Sequence, residues 1–355
     1  MKPIRVLVVE DSPVVAEHLR RVISADPKFE VAGIAPSGEE ALAMLERLSP
    51  DVISMDIHLP GMQGLEVTRR IMARQPTPIV IVSGVRGDDV PLSMHALQAG
   101  ALSVVEKPPA TTHASYEAMS VRLRTQLEIM SAVKVLRQRE PRGPAGATNG
   151  PAGASLSTQA APAAARYRVL GIAASTGGPS ALWRVLTGLG AEFPLPIVVV
   201  QHMTPAFLDG FAEWLASVVP QPVQIVTAPV AMAPGRVYLA PCDWHLAVRG
   251  TTACPDYSPA IGVHRPSANV LFASMAQSLG TTGIGVLLTG MGDDGAEGLK
   301  ELRDAGSFTI AEHESTATVY GMPAAADKRG AVQELIALPR VAPRVWELLG
   351  TKEAR

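Results

Sequence analysis

IRVLVVEDSP, residues 4–13, decides how the first part of the chain is read. Ile4–Val9 is a short, mainly apolar run without strict alternation, and Glu10 and Asp11 follow it at once. Such a run suits a strand buried on both faces of a parallel sheet. Working outward, the pattern returns at Val31–Ala35, Val52–Met55, Ile79–Val82 and Leu102–Val105. Amphipathic segments lie between and after these runs: Val14–Ser24, Glu39–Leu48, Leu65–Arg74, Val90–Gln98 and Tyr116–Leu136. Ser37 is placed to cap the second helix and Gly100 to end the fourth. Five βα units of this length predict a doubly wound, flavodoxin-like α/β domain.

The pattern stops at residues 139–166, REPRGPAGATNGPAGASLSTQAAPAAAR. Ala, Gly, Pro, Ser and Thr dominate there, with little to offset ordering entropy, so a flexible linker is expected. The expected division is therefore 1–138, a linker at 139–166, and a second domain at 167–349. In the second domain, strands are expected at Arg168–Ala173, Ile197–Val200, Val223–Thr227, Arg236–Ala240, His245–Val248, Ile284–Leu288 and Phe308–Ala311. Helices are expected at Ser180–Thr187, Pro205–Val218, Ala268–Leu279 and Ala296–Ala305. Pro241-Cys242-Asp243-Trp244 reads as the turn of an antiparallel hairpin joining Arg236–Ala240 to His245–Val248. The reading is a second, mainly parallel α/β domain with a small antiparallel addition.

Composition narrows the function classes. The chain has 355 residues, 47% of them hydrophobic, and a net charge of -2. That charge gives no global attraction to nucleic acid or anionic membrane. No apolar run reaches the ~18 residues of a membrane span, and the N-terminus lacks a secretory pattern. A cytoplasmic protein without membrane insertion is expected. Its two cysteines, Cys242 and Cys254, read as inert thiols. Neither a helix-turn-helix pattern nor a basic recognition helix marks the second domain, which argues against transcriptional control.

Chemistry concentrates at strand ends, where open parallel sheets place ligand groups. Glu10 and Asp11 follow the first strand, Asp56 the third, Ser83 the fourth and Lys107 the fifth. Three carboxylates at one sheet edge repel unless a hard cation such as Mg²⁺ joins them. Asp56 would then be the nucleophile toward a phosphoryl donor, with Lys107 neutralising charge and Ser83 donating to the phosphate. VVEDSP, MDIHLPGMQG, VSG and EKPP, in that order, resemble the response-regulator receiver family over the first ~125 residues. The resemblance implies phosphorylation at Asp56. Two departures stand out. Val104 occupies a position that is often aromatic, and His58 follows two residues after Asp56.

The second domain opens with a buried strand running into AASTGGP, residues 173–179. Ser175 on a strand-to-helix turn is presented at the sheet edge, with small neighbours and a helix N-terminus behind it. Alone, this turn serves equally well to bind phosphate. His202 ends a second buried strand in VVVQHM, and Asp293 and Asp294 follow a third in TGMGDDGAEG. A hydroxyl, an imidazole and a carboxylate at three strand ends supply a nucleophile, a base and an orienting acid. GIAASTGGP, VVVQHM, GRVYLAP, HRPSANVLF, LLTGMGDDGAEGL and VYGMP together resemble the chemotaxis methylesterase family known as CheB.

That resemblance implies Ser175 as nucleophile, His202 as base, Asp294 as orienting acid and the Met291 backbone amide in the oxyanion hole. It implies hydrolysis of glutamate methyl esters and deamidation of glutamine on methyl-accepting chemoreceptors, without a cofactor for that chemistry. A chemotaxis-type histidine kinase would be the phosphodonor, and recruitment to membrane chemoreceptor arrays would follow. Asn269, His313 and Ala324 depart from the family pattern without removing a triad member. His264 reads as a groove or packing residue rather than a second base. A receiver joined to a binding module without turnover is the alternative, and intact Ser175, His202 and Asp294 argue against it.

Overall fold

The computed structural model describes residues 2–84, 89–109, 114–133, 135 and 166–350. The first domain holds β1 (Ile4–Val9), α1 (Pro13–Ser24), β2 (Phe29–Ala35), α2 (Gly38–Leu48), β3 (Val52–Met55), α3 (Gly64–Arg74), β4 (Ile79–Ser83), α4 (Asp89–Gln98), β5 (Ser103–Glu106) and α5 (Tyr116–Ser131). Its five strands are parallel in the order β2-β1-β3-β4-β5. β3 and β4 are buried throughout, which is why their sequences carry no alternation. Ser12 and Ser37 cap α1 and α2 by accepting from Val15 N–H and Glu40 N–H. Strand order reverses between β1 and β3, so their carboxyl ends open the crevice that receives Glu10, Asp11 and Asp56. Helix α5 ends at Ser131, before the expected Leu136, and Leu136 itself lies outside the described residues.

The second domain continues with β6 (Val169–Ala174), α6 (Gly178–Leu189), β7 (Ile197–Gln201), α7 (Pro205–Val218), β8 (Val223–Ile225), β9 (Val230–Ala231), β10 (Val237–Leu239), β11 (His245–Arg249) and β12 (Thr252–Asp256). Then follow α8 (Ala268–Leu279), β13 (Gly283–Leu287), α9 (Ala296–Asp304), β14 (Phe308–Glu312), α10 (Met322–Lys328), β15 (Glu334–Ile336) and α11 (Leu338–Leu348). A seven-stranded parallel sheet runs β15-β14-β13-β6-β7-β10-β8. Chain order reverses at β6, with β7 on one side and β13 on the other. The crevice over β6 is therefore bounded by three strand ends, those leading to Ser175, His202 and the Thr289–Asp294 loop. β6, β7 and β13 are fully buried.

One expectation is corrected. The antiparallel hairpin is not built from Arg236–Ala240 and His245–Val248. Val237–Leu239 lies parallel between β7 and β8 in the large sheet, and β11 pairs instead with β12 around Gly250, whose φ is +62°. The physical reason is burial: Val237, Tyr238 and Leu239 are all inside, a demand met between two parallel strands. β9 joins β12 to complete a three-stranded antiparallel sheet. Both cysteines are free, and burial pushes the Cys242 thiol up to about 11, as expected of an inert group.

The two domains touch. Val90 of α4 packs on Gly210 of α7, and Ser180 Oγ of α6 donates to Leu97 C=O at 3.4 Å. Residues 139–165, nearly all of the expected linker, lie outside the described residues. Among the described residues, no helix is long and apolar enough to cross a membrane.

Candidate active site

Ser175 follows β6, and its N–H donates to Thr289 C=O at 3.0 Å, so the loop after β13 holds the turn. Gly177, at φ +79°, precedes α6 as its N-cap in the left-handed region where a side chain is strained. At Gly178 a Cβ would collide with Gln201 Oε1. This close approach is used: Gln201 Nε2 donates to Ser175 C=O at 2.8 Å and to His202 C=O at 2.9 Å. His202 N–H in turn donates to Ala174 C=O at 3.0 Å. One buried amide thus ties the residue carrying the hydroxyl to the residue carrying the imidazole. VVVQHM gave a signal for Gln201 only as a neighbour of His202.

His202 Nε2 bonds Asp294 Oδ2 at 2.8 Å. Asp294 is 3% exposed and sits at the N-terminus of α8, where backbone N–H groups favour negative charge. Ala268 N–H donates to Oδ2 at 2.6 Å, Ser267 Oγ–H to Oδ1 at 2.6 Å and Asn269 N–H to Oδ1 at 3.2 Å. Burial pushes this carboxyl up, yet hydrogen bonds from His202 and Ser267, the electrostatic pull of the His202 N–H and the Ala268 amide outweigh it and hold the group at about 2. An ionised acid on Nε2 fixes the proton there, so Nδ1 carries the lone pair. Nδ1 is buried and has no hydrogen-bond partner among the described residues. It is the ring nitrogen that the Asp294 bond leaves unused. By contrast, Asp293 points to the surface, 3.0 Å from Arg329 Nη2, so the two adjacent acids have separate roles.

Sequence reading missed the support behind this pair. His245 is fully buried; its Nδ1 accepts from Ser267 N–H at 3.0 Å, and its Nε2 donates to Pro259 C=O at 3.0 Å. It braces the residue that braces Asp294. Asn269, the departure in HRPSANVLF, accepts from Gly298 N–H through Oδ1 at 2.9 Å, a task an aspartate oxygen performs equally well. His264 stacks on His202 with ring centroids 4.5 Å apart and planes 14° from parallel. Burial and the neighbouring His202 push the His264 pKa down, against the opposing pull of Asp294 and Asp293. His313 faces solvent and bonds Ser315.

Gly290 is packed where a Cβ would lie 2.8 Å from Ser175 Cβ. Its N–H donates to Val319 C=O, and its C=O accepts from Gly321 and Met322 N–H. The turn is thereby pinned against Ser175, with the Met291 N–H outside these bonds. A cavity of about 340 Å³ opens over the site. Its second-domain wall includes Ser175, His202 and His264; its opposite wall comes from the first domain, with Leu97, Val104 and Arg122.

In the first domain, Lys107 Nζ lies 2.7 Å from Asp56 Oδ2 and 2.8 Å from Glu10 Oε2. Burial pulls the Lys107 pKa down, but bonds to Asp56 and Glu10 prevail and raise it. Glu10 is raised by burial and by the Asp56 charge, against the pull of Lys107. Asp56 Oδ1 accepts from Ile57 N–H at 2.7 Å. Ser83 Oγ is buried and unpartnered among the described residues. Oxygens of Glu10, Asp11 and Asp56 lie within 4.8 Å of one another, with Asp11 exposed, a donor set that fits a hard divalent cation with open water positions.

A fold with an acidic, lysine-paired strand-end crevice in one domain and a paired histidine and aspartate beside a strand-end serine in the other defines a class: a receiver coupled to an α/β effector. Sequence comparison gives the family. A profile described as "CheB methylesterase" matches residues 170–345, and one for the "Response regulator receiver domain" matches residues 6–115. A protein-glutamate methylesterase/protein-glutamine glutaminase from Paramagnetospirillum magneticum is 49% identical over 98% of both chains. A relative of the same description from Myxococcus xanthus is 43% identical over 97% of this chain and 96% of its own. The crystal structure of the Thermotoga maritima CheB methylesterase catalytic domain aligns at 33% identity and a TM-score of 0.49, over 51% of this chain and 98% of that domain. The chain belongs to the CheB methylesterase family and carries a response-regulator receiver domain.

Proposed function

We propose that this protein removes methyl groups from glutamate γ-methyl esters, and amide groups from glutamines, on methyl-accepting chemoreceptors, under control of phosphorylation at Asp56. The division of labour is a receiver at 1–138, a linker at 139–166 and a catalytic domain at 167–349. The observation that carries the reading is the Asp294–His202 bond at 2.8 Å, which leaves Nδ1 free as a base beside the strand end that bears Ser175.

His202 Nδ1 takes the Ser175 proton as Oγ attacks the γ-carbonyl. The Met291 N–H, fixed by the Gly290 bonds, meets the oxyanion. His202 returns the proton to the departing methanol or ammonia. Water, deprotonated by the same nitrogen, then attacks the acyl-enzyme and releases the glutamate carboxylate and free Ser175. Asp294 stays ionised throughout and holds the imidazolium.

On the receiver, Glu10, Asp11 and Asp56 would hold Mg²⁺, which supplies charge neutralisation during phosphoryl transfer. Asp56 accepts the phosphoryl group, Lys107 pairs with it and Ser83 donates its hydroxyl to it. In the unphosphorylated arrangement the receiver forms a wall of the Ser175 cavity and restricts access to it. A chemotaxis-type histidine kinase is the phosphodonor, and the protein acts in the cytoplasm at receptor arrays to give adaptation.

Methanol release from methylated receptor membranes tests both halves. Wild type should release methanol faster with acyl phosphate and Mg²⁺. Ser175→Ala should lose about a thousandfold or more of the rate, because the nucleophile and its base act as a unit. Asp56→Asn should keep the basal rate and lose the response. Substantial turnover by Ser175→Ala, or activation of Asp56→Asn, contradicts the corresponding half.

A further inference from the structure

The described residues expose six large apolar side chains, and four of them lie on segments next to Ser175 or His202 in contact or in sequence. These are Tyr257 (63% exposed), Ile261 (47%), Val263 (89%) and Met291 (48%). Val263 lines the same cavity as Ser175 and His202. Ile261 is bridged through the backbone to His264, whose ring stacks on His202. Tyr257 C=O accepts from Arg265 Nη2, and Arg265 also lines the cavity. Met291 follows Gly290, which abuts Ser175. The remaining two, Val14 and Val121, belong to the receiver.

The segment 257–264 is a braced ridge rather than a loose loop. Ile261 and His264 exchange both backbone hydrogen bonds, at 3.1 and 3.0 Å. Buried His245 holds Pro259 C=O from below. Tyr257 is met edge-on by Trp244, with ring centroids 5.0 Å apart. A rigid backbone that directs apolar side chains into water beside a nucleophile marks a surface that something else covers.

The receiver leaves these side chains exposed, although Val104 and Arg122 line the cavity next to Val263. What covers them follows from the length of the target side chain. Only three carbon–carbon bonds separate a glutamyl Cα from the carbonyl that Ser175 attacks. The substrate main chain must therefore lie against the rim of the cavity, where Val263 stands.

We infer that Tyr257, Ile261 and Val263, beside the Ser175 cavity, form the docking surface for the protein substrate: a polypeptide segment with apolar side chains flanking the target glutamate. Because the ridge is open while the receiver lines the cavity over Ser175, docking does not require phosphorylation. The inference rests on the protein-glutamate esterase reading above and assigns the surface that recognises its substrate.

The test uses the full chain, unphosphorylated and carrying Ser175→Ala, with a methyl-esterified cytoplasmic fragment of a chemoreceptor as probe. The fragment should bind this chain. Adding Tyr257→Ser, Ile261→Ser and Val263→Ser should weaken binding by about tenfold or more, since each removes exposed apolar area that docking buries. Val14→Ser, an equally exposed change on the receiver, should leave binding within about twofold. With Ser175 intact and acyl phosphate present, kcat/KM on the fragment should fall about tenfold relative to kcat/KM on N-acetylglutamate γ-methyl ester, which is too small to span the ridge. Equal binding by the ridge variant, or a parallel loss on both esters, overturns the docking surface alone. If wild type hydrolyses the small ester but neither binds nor demethylates any receptor fragment, the substrate reading fails and the docking surface falls with it.

Discussion

Asp294 is nearly enclosed, and an enclosed carboxyl by itself would resist ionisation. Four donors reverse that preference: His202 Nε2, Ser267 Oγ, and the N–H groups of Ala268 and Asn269. The group is held at about 2 against an ordinary value of 3.8. A carboxyl lowered by folding binds its proton more tightly when unfolded, so stability rises with pH across that interval. The stabilisation is fully present above about pH 5 and fades as pH falls through 4 toward 2; its size is roughly 2 kcal/mol. Asp294→Asn should remove this part of the acid sensitivity, so its unfolding free energy should change less between pH 4 and pH 2 than that of wild type. All four tryptophans, Trp183, Trp214, Trp244 and Trp346, lie in the catalytic domain, so tryptophan fluorescence during urea titration reads that domain. Identical pH slopes for the two proteins would show that Asp294 is not held ionised in the fold. For turnover the same value implies that a loss of activity between about pH 5 and 7 does not come from protonation of Asp294.

Among the elements, the turn after β13 carries the tightest steric demand. Gly290 allows an ordinary side-chain backbone conformation; what it lacks is room. A Cβ there would overlap the Met322 thioether, which can swing aside, and would come to 2.8 Å from Ser175 Cβ, which cannot. Gly290→Ala should keep the fold and displace either Ser175 or the Met291 amide, lowering kcat about a hundredfold, as misplacements near 1 Å do. Full kcat in Gly290→Ala, with an unchanged melting temperature, would mean that the turn yields freely and sets no geometry. This demand also shows why the site was legible before the fold was. Strand-end serine, histidine and aspartate gave residue types and an edge of the sheet, and family motifs then distinguished Asp294 from Asp293. The supports were harder to see because His245, Gln201 and Thr289 work through backbone partners remote in sequence. Thr289 N–H donates to buried Glu312, while its C=O receives Ser175 N–H. No spacing rule joins positions 175, 289 and 312. The misplaced hairpin has a related cause. Turn chemistry at Pro241–Trp244 is local, whereas Val237–Leu239 is claimed by β7 and β8, pairings that local sequence does not encode.

For the whole molecule, the decisive contact lies between domains. Helix α4 of the receiver meets α7 of the catalytic domain where Val90 fills the space over Gly210. A Cβ at Gly210 would overlap Val90 Cγ1. Gly210 lies inside α7, where replacing glycine favours the helix by up to about 1 kcal/mol, so the catalytic domain itself should not suffer. Gly210→Leu therefore acts as a wedge. It disfavours the arrangement in which the receiver lines the Ser175 cavity, and it leaves both domains folded. If that arrangement restricts access, the variant should release methanol faster than wild type without acyl phosphate and respond less when acyl phosphate is added. Shifting a two-state equilibrium by 1.4 kcal/mol changes the open-to-closed ratio about tenfold, a penalty well within what overpacking imposes. Val90→Ala in the Gly210→Leu background removes the nearer overlap, Cγ1, but not Cβ at 2.8 Å, and should return the unstimulated rate part of the way toward wild type. That reversal separates a wedge from damage to α7. If Gly210→Leu leaves the unstimulated rate unchanged while solution scattering shows the domains further apart, the receiver does not act by covering the site, and phosphorylation must instead alter the catalytic groups themselves.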